Sequence, residues 1–343
     1  MIKISNSKKP FVIAELSGNH NGSLNNALKL IRSAARCKVN AVKIQTYTAD
    51  TMTLDSTKKD FMIKDKSSIW YGYKLHDLYK KAHTPWSWHK KIFQEAKKNK
   101  LICFSSPFDE TALNFLKKFN PPIFKIASFE NTDLRLIKLV AKTRKPLIIS
   151  LGMATLAQIE KAVKTAKKNG CKKIILLKCT SDYPAKNTSI NVSTIPYLKK
   201  KFKCEVGLSD HTTGLGASVA AIAKGASVIE KHFKLSNVNS VDSDFSLDEK
   251  KMKNFVTEIH NAWDAIGKIS FGPVKEEKKN LQFRRSIYTM KKIKKGEKFS
   301  KKNIKCVRPG FGLETVHFEK ILNKKAVKNI DSAVALSWKH ISK

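Results

Sequence analysis

The chain has 343 residues, 41% of them hydrophobic, and a formal net charge of +39 at pH 7. Its first apolar run, FVIAEL at 11–16, is too short for a membrane span or a secretory signal, so we expect a cytoplasmic protein with a large core. Lysines at helical spacing carry most of the charge, which disfavours specific nucleic-acid binding but would attract anionic substrates.

Short β-branched runs alternate with helical segments along residues 1–267. The predicted strands are FVIAE (11–15), AVKIQ (41–45), LICFSS (101–106), IFKIAS (123–128), PLIIS (146–150), KIILLKC (173–179), CEVGLS (204–209) and SVIE (227–230). Segments of helical periodicity separate them, for example NNALKLIRSAARCK and TLAQIEKAVKTAKKNG. Apolar strands alternating with helices indicate a parallel sheet that is covered on both faces. Eight such units predict an α/β fold, a (β/α)8 TIM barrel.

The chain changes character after the last predicted barrel helix, near 247–267. Residues 268–283 are polar, contain Gly and Pro, and predict a linker. Residues 284–343 contain short alternating strands interrupted by the turns KKGE and RPGFG. This last segment therefore predicts a small β-rich C-terminal domain.

Polar side chains follow nearly every predicted strand. Because the active site of an α/β barrel lies at the carboxyl ends of the strands, these side chains should meet at one mouth. A lysine inside a strand is costly to bury unless an anion pairs with it, so we interpret Lys43, Lys125 and Lys178 as an anion cradle. Hydroxyl groups beside these lysines would come from Ser106, Ser128 and Ser209.

The stretch GLSDHTTGLGA at 207–217 places a hydroxyl, a carboxylate and an imidazole side by side. Asp210 either caps the following helix or takes part in the chemistry. His211 and His232 end neighbouring predicted strands, so their imidazoles can converge beside carboxylates and hold a divalent metal. Two imidazoles leave positions for water and substrate, and Mn²⁺, Mg²⁺, Co²⁺ or Zn²⁺ could act there as a Lewis acid.

The chain resembles the sialic acid synthase family in FVIAELSGNHNGS, VKIQTYTADTMTL, SSPFD, FKIAS, KCTSDYP, GLSDHT, VIEKHF and RPGFG. The resemblance covers essentially the whole chain. It implies a barrel joined to an antifreeze-like (SAF) domain, and a metal-dependent condensation of phosphoenolpyruvate with an N-acylated sugar, with Mn²⁺ as the preferred metal. YTADTMTL, residues 69–89 and VRPGFGL are most similar to the members that make pseudaminic acid from a 2,4-diacetamido-2,4,6-trideoxy hexose.

The resemblance also implies roles for individual residues. The acidic positions around the reacting carbons would be Glu15, Glu230 and Asp242, and the metal ligands would be His211 and His232. Gln45 and Tyr183 would line the sugar pocket. Arg308 would reach the N-acyl group in the barrel of a partner subunit, as part of a domain-swapped homodimer. The phosphoenolpyruvate site would comprise Lys43, Ser106, Lys125, Ser128, Ser181 and Ser209.

Two positions depart from the usual family pattern. Ser181 stands where many members have an amide, and Ser106 stands in SSPF where they have STPF. A serine hydroxyl can still donate a hydrogen bond to a phosphate, so both residues are kept as phosphate ligands.

Several alternatives are open. A related synthase could make N-acetylneuraminate or legionaminate from a different sugar. A Schiff-base aldolase would instead use Lys125 or Lys178 as a nucleophile, and a non-enzymatic reading makes the basic C-terminal domain a nucleic-acid binder. The aromatic side chains after the second strand would either meet the sugar or only pack within the loop; they are Trp70, Tyr71 and Tyr73.

Overall fold

Eight parallel strands close into a barrel in the N-terminal part of the chain. The structure, a computed structural model, describes residues 4, 5 and 7–343, which divide into two compact units, Met1–Gly267 and Lys268–Lys343. Within the described residues of the first unit, each strand pairs with its neighbours in chain order and the last pairs with the first. The strands are β1 (Phe11–Glu15), β2 (Ala41–Thr46), β3 (Ile102–Pro107), β4 (Phe124–Ile126), β5 (Leu147–Ser150), β6 (Ile174–Cys179), β7 (Glu205–Asp210) and β8 (Val228–His232).

Most of the helices cover the outside of this barrel, whereas the two short helices between β2 and β3 contribute residues to the cavity at its mouth. Several of the helices start at a side-chain cap: the Ser23 side chain accepts the backbone N–H of Asn26, and Thr155 and Gln158 form a capping box. The helices are α1 (Leu24–Arg36), α2 (Ala49–Met52), α3 (Leu75–Ala82), α4 (His89–Lys98), α5 (Glu110–Lys117), α6 (Leu134–Ala141), α7 (Leu156–Lys168), α8 (Thr194–Phe202), α9 (Gly216–Ala223) and α10 (Glu249–Ile266).

Side chains alternate between the inside and the outside of the barrel along each strand. The inner positions near the amino ends are apolar and fill the barrel with Ile13, Phe104, Ile148, Leu177 and Val228. Two residues further along the same strands, the inner positions become polar: Glu15, Ser106, Ser150, Cys179 and Glu230. Outer side chains pack with the helices into a separate and larger apolar cluster. The interior of the barrel is therefore filled with apolar side chains near the amino ends of the strands and lined with polar side chains near their carboxyl ends.

The C-terminal unit is small and built mainly from β structure. β9 (Ser286–Thr289) and β10 (Ile304–Val307) pair antiparallel, and a short helix, α11 (Phe318–Ile321), follows. Ile287, Phe299 and Ile321 belong to its own buried core. The predicted fold class, a TIM barrel followed by a small β-rich domain, is confirmed.

Residues Lys275–Phe283, inside the segment that the sequence predicts as a linker, form a 3-10 helix. Among the residues that the structure describes, no helix has the length and apolar character needed to cross a bilayer.

Gly207 supports the close approach of β7 to β8, and its replacement gives a test of the barrel packing. A Cβ atom at this position would collide with the Val228 carbonyl oxygen and lie 2.8 Å from the Leu177 side chain. We therefore expect Gly207→Ala to lower the free energy of unfolding by about 2–3 kcal/mol in a chemical denaturation experiment. Gly214→Ala is the matched control, because a Cβ there meets nothing within 4 Å. Equal stability of the two variants would contradict the packing.

Candidate active site

A cavity of about 590 Å³ lies at the carboxyl ends of the barrel strands. Eleven of the predicted site residues line it: Glu15, Lys43, Gln45, Lys125, Ser128, Tyr183, Ser209, His211, Glu230, His232 and Asp242. They come from five strands and from the segments that follow β4, β6, β7 and β8. Distant parts of the sequence therefore converge at one mouth.

Two lysines and two carboxylates form a buried cluster on the floor of the cavity. The Lys43 ammonium contacts the Glu15 carboxylate and lies 3.8 Å from Glu230 Oε1. Lys125 Nζ lies 3.3 Å from the same Glu230 oxygen, to which Ser209 Oγ also donates. Each of the four charged side chains is at most 4% exposed. Mutual neutralisation allows these charges to be buried.

The two carboxylates in this cluster have different proton affinities. Burial raises the pKa of Glu15 above its ordinary value. Burial acts in the same direction on Glu230, but Lys125 and Lys43 outweigh it and lower the pKa of that carboxyl group. Glu230 thus favours the ionised form, whereas Glu15 holds a proton more readily. Such a difference allows one carboxyl group to stabilise positive charge and the other to transfer a proton.

Hydroxyl groups surround the lysines. Within the described residues, Ser106 Oγ and Ser150 Oγ are buried without a hydrogen-bond partner. Ser128 Oγ accepts the Gly152 N–H at 3.2 Å, and a Cβ on Gly152 would collide with the hydroxyls of Ser128 and Ser181. Gly152 therefore leaves room for these two hydroxyls to meet a bound group. Buried donors without partners beside cations suit a phosphate or a carboxylate.

His211 and His232 lie side by side, with ring centroids 5.3 Å apart. His211 Nδ1 lies 2.9 Å from the Thr180 carbonyl oxygen and therefore carries the proton that it donates there. His232 Nδ1 lies 3.3 Å from Ser17 Oγ. Neither Nε2 atom receives a hydrogen bond from the described residues. Contacts at Nδ1 thus orient both rings and leave both Nε2 atoms available as ligands.

The donor set fits an open divalent metal site. Burial lowers the pKa of His232 well below its ordinary value, which favours the neutral imidazole that binds metals. Burial also disfavours the charged form of His211, but the Cys179 sulfur and the Thr180 carbonyl outweigh it and raise the pKa of this imidazole. Among the described residues, no cluster of three or more His, Cys, Asp or Glu side chains could hold a metal ion. The chain therefore offers two imidazoles, and water or substrate would complete the coordination.

Ser17 connects His232 to Asp242 and was missed by the sequence reasoning. Its hydroxyl donates to Asp242 Oδ2 at 2.5 Å, and the Gly18 N–H donates to the same oxygen at 3.2 Å. Ser17 has a left-handed backbone, with φ of 36°, which turns its side chain toward His232. In the sequence, this serine resembles an ordinary residue of the turn after β1.

An apolar wall forms another side of the cavity and was also missed. Of the aromatic candidates in the segment between β2 and β3, Trp70 lines the cavity, whereas Tyr71 and Tyr73 do not. Trp70 Nε1 donates to the Val241 carbonyl at 2.8 Å, and its ring lies 5.5 Å from that of Tyr183. The apolar wall itself, all from this segment, consists of Met52, Ile63, Leu75, Leu78 and Ala82.

Two strand-end residues do not face the cavity. Lys178 Nζ donates to the Cys179 carbonyl at 2.9 Å and lies 3.4 Å from Thr180 Oγ1, away from the cavity lining. Asp210 lies on the outer face and accepts the Thr212 N–H at 2.8 Å. Both follow an inward residue and therefore point outward. The interpretation of Lys178 as part of the anion cradle is therefore wrong, because its side chain does not face the cavity. Asp210 instead holds the backbone of the turn that follows β7.

Arg308 lies in the C-terminal unit. It directly follows β10, is exposed, and precedes Pro309 through a cis peptide bond. Its role toward a substrate stays a prediction.

The fold and the site define a class of protein, an α/β-barrel enzyme with buried lysine–carboxylate pairs beside a pair of imidazoles. Comparison with known proteins gives the family. Residues 30–270 match the NeuB family and residues 284–342 match the SAF domain. The chain therefore belongs to the NeuB family, and the resemblance stated from its motifs is confirmed.

Individual relatives agree with this assignment. The chain is 47% identical over 330 residues to the pseudaminic acid synthase of Campylobacter jejuni subsp. jejuni serotype O:23/36 (strain 81-176), covering 96% of each chain. It is 40% identical to the N,N'-diacetyllegionaminic acid synthase of C. jejuni serotype O:2, covering 94% of this chain and 97% of the relative. A solved structure of N-acetylneuraminic acid synthetase from Leptospira borgpetersenii has a TM-score of 0.71 at 31% identity, covering 82% of this chain and 94% of the other.

Glu130 is a further titratable group that the sequence reasoning did not select. It lines the cavity, and its Oε2 atom is buried without a hydrogen-bond partner among the described residues. Burial raises the pKa of this carboxyl group from 4.5 to about 7. Between these pH values the folded protein holds a proton that the unfolded chain releases. The free energy of unfolding should therefore fall as the pH rises through this range.

Glu130→Gln removes this titration. We expect the variant to gain stability relative to the wild type as the pH rises from about 5 to about 8, by up to about 3 kcal/mol. Chemical denaturation at both pH values measures the change. Glu276→Gln, which alters an exposed carboxylate, is the control and should show no such gain. A constant difference between Glu130→Gln and the wild type at both pH values would contradict the buried titration.

Proposed function

We propose that the chain is a pseudaminic acid synthase, which condenses phosphoenolpyruvate with 2,4-diacetamido-2,4,6-trideoxy-L-altrose and releases phosphate. One observation carries the proposal: Lys43 and Lys125 line the same cavity as the Ser150 hydroxyl, which has no hydrogen-bond partner among the described residues, and the paired imidazoles of His211 and His232. The identity of 47% to a pseudaminic acid synthase supports this choice of product.

Phosphoenolpyruvate would bind on the floor of the cavity. Its phosphate and carboxylate both need cationic partners, and Lys43 and Lys125 are the cations there. Hydroxyls would donate to the remaining oxygens without adding charge; they belong to Ser106, Ser128, Ser181 and Ser209.

The open-chain sugar would lie next to the histidines. His211 and His232 would hold a divalent metal through Nε2, with Mn²⁺ as our first choice and Mg²⁺ or Co²⁺ as alternatives. When bound, the metal would supply Lewis acidity toward the aldehyde oxygen of the sugar. Gln45, Tyr183 and Asp242 would position the sugar hydroxyls and amides from the side of the cavity.

The reaction forms one carbon–carbon bond and breaks one bond to phosphate. C3 of phosphoenolpyruvate attacks the aldehyde carbon, and the aldehyde oxygen gains a proton. Positive charge develops at C2, where the ionised Glu230 would stabilise it. Water adds to C2 and loses a proton to Glu15 or Glu230, and the resulting adduct expels phosphate to leave the 2-keto acid.

The apolar wall supports a 6-deoxy diacetamido sugar as the substrate. This sugar presents three methyl groups, one at C6 and two in the acetamido groups, whereas N-acetylmannosamine has one methyl and a hydroxyl at C6. Each methyl group placed on an apolar surface contributes about 0.8 kcal/mol. An apolar surface rejects an extra hydroxyl only about 100-fold, so we expect preference rather than exclusion.

Two other functions are distinguishable from this one. A legionaminate or N-acetylneuraminate synthase would use the same chemistry on another sugar. Lys125 is the residue that would favour a Schiff-base aldolase. Burial lowers the pKa of its ammonium group, which favours the neutral amine that attacks a carbonyl group. Such an aldolase would form a borohydride-trappable adduct with pyruvate and would not need a metal. The cytoplasmic location stays a prediction.

Phosphate release from phosphoenolpyruvate tests the proposal. We expect release with the 6-deoxy diacetamido altrose, a rate about 10–200-fold lower with N-acetylmannosamine, and none without a sugar. EDTA should stop the reaction and Mn²⁺ should restore it. His211→Ala should abolish turnover while the fold persists, as judged by circular dichroism.

Three outcomes would oppose this expectation in different ways. Faster release with N-acetylmannosamine would keep the family and change the substrate. Full activity in EDTA, or in His211→Ala, would remove the metal role of the histidines. No release with any sugar, together with a trapped pyruvate adduct, would favour the aldolase.

We further propose that the protein is a domain-swapped homodimer in which Arg308 of one subunit contacts the sugar in the barrel of the other. Support comes from the resemblance and from the exposed position of Arg308 directly after β10. An exposed guanidinium can donate to an acetamido carbonyl of a substrate.

Complementation tests this exchange of domains. His211→Ala and Arg308→Ala chains with different affinity tags are co-expressed, and the heterodimers are purified through both tags. In a swapped heterodimer one site receives an intact barrel and an intact arginine, so we expect about half the wild-type activity per dimer. Each parental homodimer should be nearly inactive. Heterodimers no more active than the two parents would contradict the exchange.

A further inference from the structure

A fully buried ion pair lies on the outer face of the barrel, directly behind the candidate active site. Asp210 on β7 and Lys231 on β8 are opposite each other in the strand register. Lys231 Nζ lies 3.0 Å from Asp210 Oδ2, and both side chains are 0% exposed. Neither residue lines the cavity.

The pair also holds the turn that follows β7. Asp210 Oδ1 accepts the Thr212 N–H at 2.8 Å, and the Lys231 ammonium donates to the Thr212 carbonyl. Asp210 Oδ2 accepts the Ser218 hydroxyl of α9 at 2.6 Å. Both backbone polar groups of Thr212 therefore bond to the pair, and the turn is joined to β8 and to α9.

Each member of the pair lies between two residues that face the cavity. Asp210 separates Ser209 from His211, and Lys231 separates Glu230 from His232. Because consecutive strand residues face opposite sides, the backbone that the pair fixes also carries both imidazoles. The separation between the two histidines thus depends on how β7 and β8 are held together at this point.

Stability alone does not account for such a pair. Burying two charges carries a desolvation penalty, and apolar side chains of similar volume often serve a core equally well or better. Charged and directional bonds do fix geometry, because each requires particular atoms at particular distances. We propose that Asp210 and Lys231 are positioning residues that hold His211 and His232 at the spacing a shared divalent metal requires.

This inference rests on the proposed metal site, and its test separates the two. The decisive variant is the double replacement Asp210→Leu with Lys231→Met, which removes both charges without leaving either one unpaired. Its fold is checked by circular dichroism and thermal unfolding. Mn²⁺ alone is then titrated, with free Mn²⁺ measured by electron paramagnetic resonance, and steady-state kinetics follow.

We expect the double variant to stay folded but to bind Mn²⁺ about 10–100-fold more weakly than the wild type. Its kcat at limiting Mn²⁺ should fall by a similar factor. The KM for phosphoenolpyruvate should change less than the Mn²⁺ affinity, because both lysines of its proposed site, Lys43 and Lys125, come from β2 and β4 and only Ser209 comes from β7. If the pair had only a structural role, its removal would lower the melting temperature without this selective loss of metal affinity.

Arg36→Met with Glu249→Leu is the control for replacing an ion pair elsewhere in the chain. This pair joins α1 to α10 and is remote in sequence from β7 and the turn that follows it. Its replacement should leave Mn²⁺ affinity at the wild-type value. If the double variant at 210 and 231 fails to fold, Asp210→Asn is the test variant instead. It keeps the shape of the side chain and an acceptor oxygen for the Thr212 N–H.

The results have separate meanings. If the wild-type protein binds no Mn²⁺ and is active in EDTA, the proposed metal site is wrong and this inference is wrong with it. Wild-type protein that binds Mn²⁺, beside a folded double variant or Asp210→Asn variant of unchanged affinity, overturns the inference alone. Weaker binding in the variant at 210 and 231, with normal binding in the control, supports the positioning role.

Discussion

Alternation of side chains along the strands of a closed parallel barrel is the constraint on which the rest of this site depends. Consecutive residues face opposite sides, so each strand end contributes both to the cavity and to the helix layer. On β8, Glu230 and His232 face inward and Lys231 faces outward. The inner chemistry therefore shares its backbone with outer packing, and a contact outside the barrel can act on the site without touching a ligand.

Charge balance is the second constraint. Lys43 and Lys125 are buried beside Glu15 and Glu230, and the four charges together are neutral. A phosphate or a carboxylate entering the site would compete with these carboxylates for the same ammonium groups. Binding of phosphoenolpyruvate would then release Glu15 and Glu230 from their lysine partners and leave both free to act on the reacting carbons. The same ion pairs would thus keep the empty cavity stable and prepare it for an anionic substrate.

The sequence was sufficient for the barrel and for most of the mouth, because apolar strands and the polar residues that end them are local patterns. It did not distinguish Lys43 and Lys125, which face inward, from Lys178, which faces outward, because an error of one residue in a strand start reverses every orientation. Ser17 was missed because its role depends on a left-handed backbone. The apolar wall was missed because its residues lie between β2 and β3 without a regular period. Both depend on tertiary contacts that no local pattern records.

In the proposed function, chemistry and sugar preference would come from different parts of this barrel. The groups suited to phosphoenolpyruvate and to an aldehyde lie on the strand ends, and every sugar considered above presents the same aldehyde. The 6-deoxy diacetamido sugar differs from N-acetylmannosamine at C6 and in its number of acetamido groups, and the apolar wall of Met52, Ile63, Leu75, Leu78 and Ala82 comes from a single segment. A change confined to that segment could alter the sugar without disturbing the ion pairs or the imidazoles.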